Sequence, residues 1–235
     1  MGEFEEEIKV IFPHESGVGV TSMIDVLIGQ PFNPYTLTTP NASFVYYFVE
    51  INNKKYCLHL WDSIGQEKYR SLTKINFRDS NIVIFVYDVT NMSTFKELEF
   101  WIRMIKELLG EDFIGGIMGT KYDLYLKQKV SDEKAESFAK SHGMKLRLVS
   151  SKNDPNSIKK FIEELCYDYL CFKKQKILMN DKLIMQKDDE KGKKERKKKE
   201  KKVNKENINI DERKMHQLYK LNTNYIKTIN KYYNY

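Results

Sequence analysis

Six apolar runs alternate with helix-period segments along this chain, and that alternation leaves one architecture. The runs cover residues 8–12, 44–51, 56–61, 82–87, 113–118 and 145–149. Several are nearly unbroken by polar residues, as strands covered on both faces are. Asn52-Asn53 separates the second run from the third and signals a tight hairpin, so one strand pair is antiparallel. Phe95, Leu98, Trp101, Ile102, Ile105, Leu108 and Leu109 share one face of a helix that Ser93 is placed to cap. Ser131-Asp132-Glu133 puts acids in the first turn of another. Ile158, Phe161, Ile162, Leu165 and Tyr169 form the last amphipathic stripe. The predicted fold class is α/β: a six-stranded, mostly parallel sheet with one antiparallel strand and helices on both faces.

Between the first run and the first helical stretch lies His14-Glu15-Ser16-Gly17-Val18-Gly19-Val20-Thr21. It reads as a phosphate-binding loop of the pattern G-x-x-x-x-G-K-[ST]. In that pattern backbone N–H groups cradle phosphate, the Lys neutralises it and the hydroxyl takes Mg²⁺. Gly19 and Thr21 match, whereas His14 stands at the first Gly and Val20 at the Lys. A charge-assisted hydrogen bond contributes about 1.5–3 kcal/mol. A charge pair near 4 Å contributes up to about 4 kcal/mol at an effective dielectric of 20. Loss of the Lys therefore predicts up to about a thousandfold weaker phosphate binding. Hydrolysis is expected to suffer more, because the same cation stabilises the transition state. Pro13 also removes a strand N–H just before the loop.

Four further segments stand in register with this loop. Thr39 follows position 20 by 19 residues and Asp62 follows it by 42; Asp123 lies 61 beyond Asp62, and Ser150 lies 30 beyond Thr120. With these motifs and intervals, residues 6–172 resemble a Ras-superfamily small GTPase, in detail the Rab branch, and hence the P-loop NTPase fold. The resemblance implies a role for each matching residue. Trp61-Asp62-Ser63-Ile64-Gly65-Gln66-Glu67 is similar to W-D-T-A-G-Q-E: Asp62 holds Mg²⁺ through water, Gly65 approaches the terminal phosphate, and Gln66 positions the attacking water. Thr39 corresponds to the switch Thr that closes over metal and phosphate, with Pro40 and Asn41 replacing the family's Ile-Gly.

Thr120-Lys121-Tyr122-Asp123 resembles N-K-x-D, in which Asp123 accepts from N1–H and the exocyclic amine of guanine and Lys121 lies along base and ribose. Ser150-Ser151-Lys152 resembles S-A-K, a backbone donor to the guanine oxygen. The expected nucleotide site is then Ser16, Gly17, Val18, Gly19, Val20, Thr21, Thr39, Gly65, Thr120, Lys121, Asp123, Ser150, Ser151 and Lys152. Thr21, Thr39 and Asp62 are its Mg²⁺ residues, with GTP or GDP as ligand. Phe44, Trp61 and Phe77 correspond to three aromatics that Rab proteins present to effectors.

Charge divides the chain. Residues 1–172 carry 20 Lys and Arg against 24 Asp and Glu, and residues 173–235 carry 20 against 9. The overall charge of +7 therefore belongs to the tail and does not describe a nucleic-acid-binding core. Two regions are expected: a GTPase-like domain over 1–172 and a basic, low-complexity, mostly disordered tail over 173–235. Within 187–202, ten basic residues are mixed with five acidic ones, so the run reads as a solvated low-complexity extension, with weak electrostatic contact with membrane, a nuclear-import patch or weak RNA contact as the alternatives.

The three cysteines, Cys57, Cys166 and Cys171, lack metal-ligand spacing and read as free thiols. No Cys follows Cys171, so no prenyl anchor is expected. The sequence predicts a monomeric cytoplasmic protein, peripheral on endomembranes, that meets guanine nucleotide, effectors and exchange proteins. Its activity is a Rab-like switch in vesicle traffic with weakened phosphate binding and slow hydrolysis. A pseudo-GTPase that keeps the fold and effector surface without nucleotide cycling stands as the alternative.

Overall fold

In the computed structural model, residues 4–35, 43–62 and 76–203 are described. They form a sheet of six strands in the order β2-β3-β1-β4-β5-β6. The strands are β1 (Glu7–Ile11), β2 (Ser43–Ile51), β3 (Lys54–Asp62), β4 (Ile82–Asp88), β5 (Ile114–Thr120) and β6 (Lys145–Leu148). Only the β2–β3 pair is antiparallel; β1 pairs in parallel with β3 and β4, and β5 with β4 and β6. The hairpin turns at Asn52 and Asn53, both with positive φ (53° and 60°). That conformation matches the twist of the flanking strands and is tolerated by Asn.

Helix α1 (Val20–Leu27) follows β1; α2 (Met92–Lys96) and α3 (Leu98–Leu109) follow β4; α4 (Asp132–Ser141) precedes β6, and α5 (Pro155–Val203) follows it. Alternation along each strand sends side chains into two separate cores. Ile82, Ile84 and Val86 of β4 join Val20 and Met23 of α1 and Phe161 and Leu165 of α5. Their neighbours Val83, Phe85 and Tyr87 join Leu98, Trp101 and Ile105 of α3 and Ala135 of α4. All seven residues of β4 are buried; each large apolar side chain so placed contributes about 1.5–3 kcal/mol. Gly116 lets β5 approach α5 closely, since a Cβ there would lie 2.7 Å from Leu165 Cδ1.

One local expectation needs correction. Ser93 does not cap one long helix. Asn91 caps α2, its Oδ1 accepting from Ser93 N at 3.1 Å, and a turn at Glu97 separates α2 from α3. Glu97 keeps a right-handed helical backbone, and Phe95, Leu98 and Trp101 are all buried. Ser131 does cap α4, accepting from Lys134 N at 3.3 Å.

The chain divides into compact units at Met1–Lys176 and Ile177–Tyr235. Residues 173–203, read from sequence as tail, are helical within α5, because Lys and Glu are strong helix formers and the chain carries no Pro there. Residues 204–235 lie outside the described residues. Among the described residues, no helix is long and apolar enough to cross a membrane.

Candidate nucleotide and metal site

The loop after β1 is anchored before it opens. His14 forms an isolated parallel bridge with Val86, and Val86 N donates to Pro13 O at 3.1 Å. The His14 ring is buried, and its Nδ1 lies 2.6 Å from Phe12 O. A carbonyl only accepts, so the proton sits on Nδ1. Burial pushes the His14 pKa below its ordinary value of 6.5, against the opposing pull of that bond and of the charges on Asp62 and Glu15. The folded protein thus binds fewer protons than the unfolded chain as pH falls below about 6.5. Stability drops from there down to the lowered folded-state value. His14→Asn retains a donor near Nδ1 but cannot titrate. It is expected to flatten the pH dependence of the urea midpoint below 6.5; a slope equal to wild type would contradict this account.

Gly17 (φ 78°) and Gly19 (φ 97°) take the left-handed conformations that let successive backbone groups curve into a loop. Gly19 caps α1, and its carbonyl accepts from Met23 N at 3.0 Å. Ser16 and Gly17 are exposed, whereas Val18 is buried. Val20 is 2% exposed and belongs to the core between sheet and α1. Expected among the nucleotide-site residues, Val20 has its side chain in the core: a branched apolar group at the first turn of α1 packs inward, where it loses water.

Thr21 Oγ1 donates to Asp62 Oδ2 at 2.8 Å, joining the first turn of α1 to the end of β3. Asp62 is buried. A hydroxyl and a carboxylate are hard oxygen donors suited to Mg²⁺, which keeps several waters and takes phosphate oxygens for the rest of its shell. No group of three or more His, Cys, Asp or Glu able to hold a metal occurs among the described residues. Two such donors supply part of a Mg²⁺ shell and fit that ion where waters or phosphate oxygens complete it.

The segment after β5 lies directly beside this loop. Thr120 Oγ1 lies 2.6 Å from Val18 O and 3.0 Å from Tyr87 O. Lys121 has φ 58°, unusual for a residue with a side chain. Its Nζ donates to Gly17 O at 2.7 Å and pairs with Asp88 Oδ2 at 2.7 Å. Ser150 Oγ donates to Asp123 Oδ1 at 2.7 Å and accepts from Asn153 N at 3.0 Å. Ser151 and Lys152 continue the turn, half-buried and exposed respectively. Thr39, Gly65 and Gln66 lie outside the described residues.

Two polar residues of this region escaped the sequence reading. Glu15 Oε1 accepts from Trp101 Nε1 at 3.0 Å, tying the loop to α3. Asp88 ends a strand whose other residues are all apolar or Tyr, and it is buried. A carboxylate closing such a run was the available signal, since it needs a partner to be buried there.

Of the three aromatics, Phe44 and Trp61 come together, stacked with centroids 4.9 Å apart and planes at 25°. Phe44 is exposed and Trp61 half-buried. Phe77 is corrected: it is 0% exposed and sits in the α3-side core near Trp101. The exposed row instead continues along β2, through Tyr46 and Phe48 at alternate positions.

Comparison with known proteins agrees with this geometry. The sequence model of the Ras family matches residues 9–170. Ras-related protein Rab-21 from Mus musculus is 38% identical over 163 residues, covering 69% of this chain and 71% of that protein. Its Homo sapiens counterpart is 37% identical, covering 69% and 70%. Ras-related protein Rab-30 from Homo sapiens is 31% identical over 166 residues, covering 71% of this chain and 82% of that protein.

Proposed function

Because the chain belongs to the Ras family and is Rab-like within it, we propose that it is a guanine-nucleotide-binding switch of vesicle traffic with weakened phosphate binding and slow hydrolysis. One observation carries the reading: Thr120 and Lys121 hydrogen-bond to the Val18 and Gly17 carbonyls. The guanine-selecting segment and the phosphate loop are thereby parts of one site. Asp123 selects guanine by accepting two N–H donors that adenine cannot offer in that arrangement. Ser150, Ser151 and Lys152 close the base side. Backbone N–H groups of Ser16 to Val20, with Gly65, receive the phosphates.

Thr21, Thr39 and Asp62 hold Mg²⁺, which when bound neutralises phosphate charge that the loop itself does not. Gln66 orients water for hydrolysis. Val20 supplies neither a cation nor a donor from its side chain, so ground-state affinity and the chemical step both fall. Phe44 and Trp61 form the effector contact, and exchange proteins act on the same region. The protein works as a monomer in the cytoplasm and on the surface of endomembranes. Helix α5 assists through its basic stretch, where each net charge near an anionic surface contributes about 1 kcal/mol.

The burial of Val20 also favours a second reading, a pseudo-GTPase that retains the effector surface and no longer cycles. Denaturing freshly purified protein kept in Mg²⁺ and chromatographing the released small molecules separates the two. The switch reading expects GDP or GTP, and a melting temperature that rises with millimolar Mg²⁺-GTP. An empty protein whose melting is indifferent to guanine nucleotide leaves the pseudo-GTPase.

A further inference from the structure

Past Thr120 the chain passes from the core to the surface. Tyr122–Lys127 forms a short 3₁₀ helix with no buried residue, interrupted at Leu124 (φ −90°, ψ 39°). Tyr125 and Leu126 on it are 68% and 88% exposed. Helices of this kind have poor hydrogen-bond geometry and little stability of their own. Apolar burial therefore does not fix Asp123, the residue placed to read the base. Polar bonds must do so.

Side-chain bonds bracket Asp123. On one side Ser150 Oγ donates to Asp123 Oδ1 at 2.7 Å and accepts from Asn153 N at 3.0 Å. Immediately before Asp123, Tyr122 Oη donates to Asp132 Oδ2 at 2.7 Å. The other oxygen of Asp132 accepts from Gln128 Nε2 at 2.6 Å, and that nitrogen also donates to Val130 O at 2.7 Å. One carboxylate thus gathers the first residue of the 3₁₀ helix and the residue just after its last. Asp132 is itself well seated. It opens α4, which Ser131 caps and which Ala135 and Ala139 fix in the core. The helix N-terminus favours its ionised form, and a hydroxyl bond to an ionised carboxylate is of the strong class. The Tyr122 phenol is correspondingly held above its ordinary value of 10, chiefly by this bond, then by desolvation and by the Asp132 charge.

From this geometry we infer that Tyr122 is a positioning residue for base recognition: its bond to Asp132 lets α4 fix the backbone that carries Asp123. Adjacent residues share a peptide plane, so a Tyr122 free to swing lets the Asp123 carboxylate swing with it. Accepting two donors from one base edge demands a set orientation, because hydrogen bonds weaken steeply as they bend. The effect on ligand rests on the guanine-nucleotide reading; the clasp itself does not.

Amide exchange on the full chain, freed of nucleotide, reads the clasp alone. Tyr122→Phe removes one hydroxyl and keeps the ring. Peptides spanning residues 121–128 and 150–154 are expected to exchange about fivefold faster in this variant, with β5 unchanged. Acceleration at 150–154 reports that the loss has reached Asp123 and its bond to Ser150, which a merely local role would not produce. Asp132→Ala should accelerate the same two peptides, and adding Tyr122→Phe to it should accelerate them no further. Tyr125→Phe, on the exposed side of the same helix, should match wild type. Wild-type exchange at 150–154 in Tyr122→Phe, or additive effects of the two substitutions, would overturn the proposal. Competition between GDP and inosine diphosphate, which lacks only the exocyclic amine that Asp123 accepts, reads the base directly. Tyr122→Phe should reduce the preference for GDP about fivefold; an equal loss of affinity for both diphosphates would also overturn the proposal. If wild type binds neither, the nucleotide reading fails while the exchange result still decides the clasp.

Discussion

Val20→Lys is expected to tighten GDP binding by about two to three orders of magnitude, the largest gain any single substitution in this chain should give. The estimate follows from one charge-assisted contact to phosphate in a partly desolvated site, about 3–4 kcal/mol. Val20 is buried against the sheet, so the substitution also removes apolar packing worth about 1.5–3 kcal/mol. A Lys stem can recover part of that contact while its ammonium turns out toward the loop. The two effects separate cleanly in measurement. Without nucleotide the variant should melt below wild type; with Mg²⁺-GDP it should melt above. Titration calorimetry supplies the affinity ratio directly. A variant that folds and still binds no better than wild type would place the defect at His14 or elsewhere in the loop.

Asp123→Asn is expected to weaken GDP binding by about 10²–10⁴-fold and to make xanthosine diphosphate the preferred ligand. The direction follows from the hydrogen-bond order around Ser150. Ser150 Oγ already accepts from Asn153 N, so its own proton goes to residue 123. An Asn there must turn its oxygen toward Ser150, which leaves its NH₂ facing the base. Guanine presents donors at that edge and is repelled; xanthine presents a carbonyl at C2 and is accepted. Competition between the two diphosphates for wild type and variant measures the switch. Equal discrimination in both proteins would remove Asp123 from base recognition.

Much of the architecture was legible because burial on both faces leaves unbroken apolar runs. The β4 run at 82–87 sits at the centre of the sheet, and Asn52-Asn53 marks the turn of the antiparallel pair. What was not legible depends on which surfaces meet. Phe77 stands among polar residues and Phe44 opens an apolar run, yet it is Phe77 that α3 covers and Phe44 that sits exposed on an edge strand. Asp88 gave no motif, because its meaning comes from Lys121, 33 positions later. The helix through 173–203 was obscured by its composition: charge excess signals disorder, while the same Lys and Glu favour helix once α5 has nucleated on the sheet.

The division of the interior into two compartments bears on how such a loop could change at all. Ile84 and Phe85 are adjacent in the chain yet insulated from each other by the sheet, one on the side of Val18 and Val20, the other on the side of Trp101. Exchanging an ammonium for a branched hydrocarbon at position 20 is therefore a local renovation. It is absorbed beneath α1 and α5, while the opposite wall, with its indole clasp on Glu15, keeps its own furniture. In a molecule partitioned in this way, a change of side chain in one compartment leaves the other packed as before.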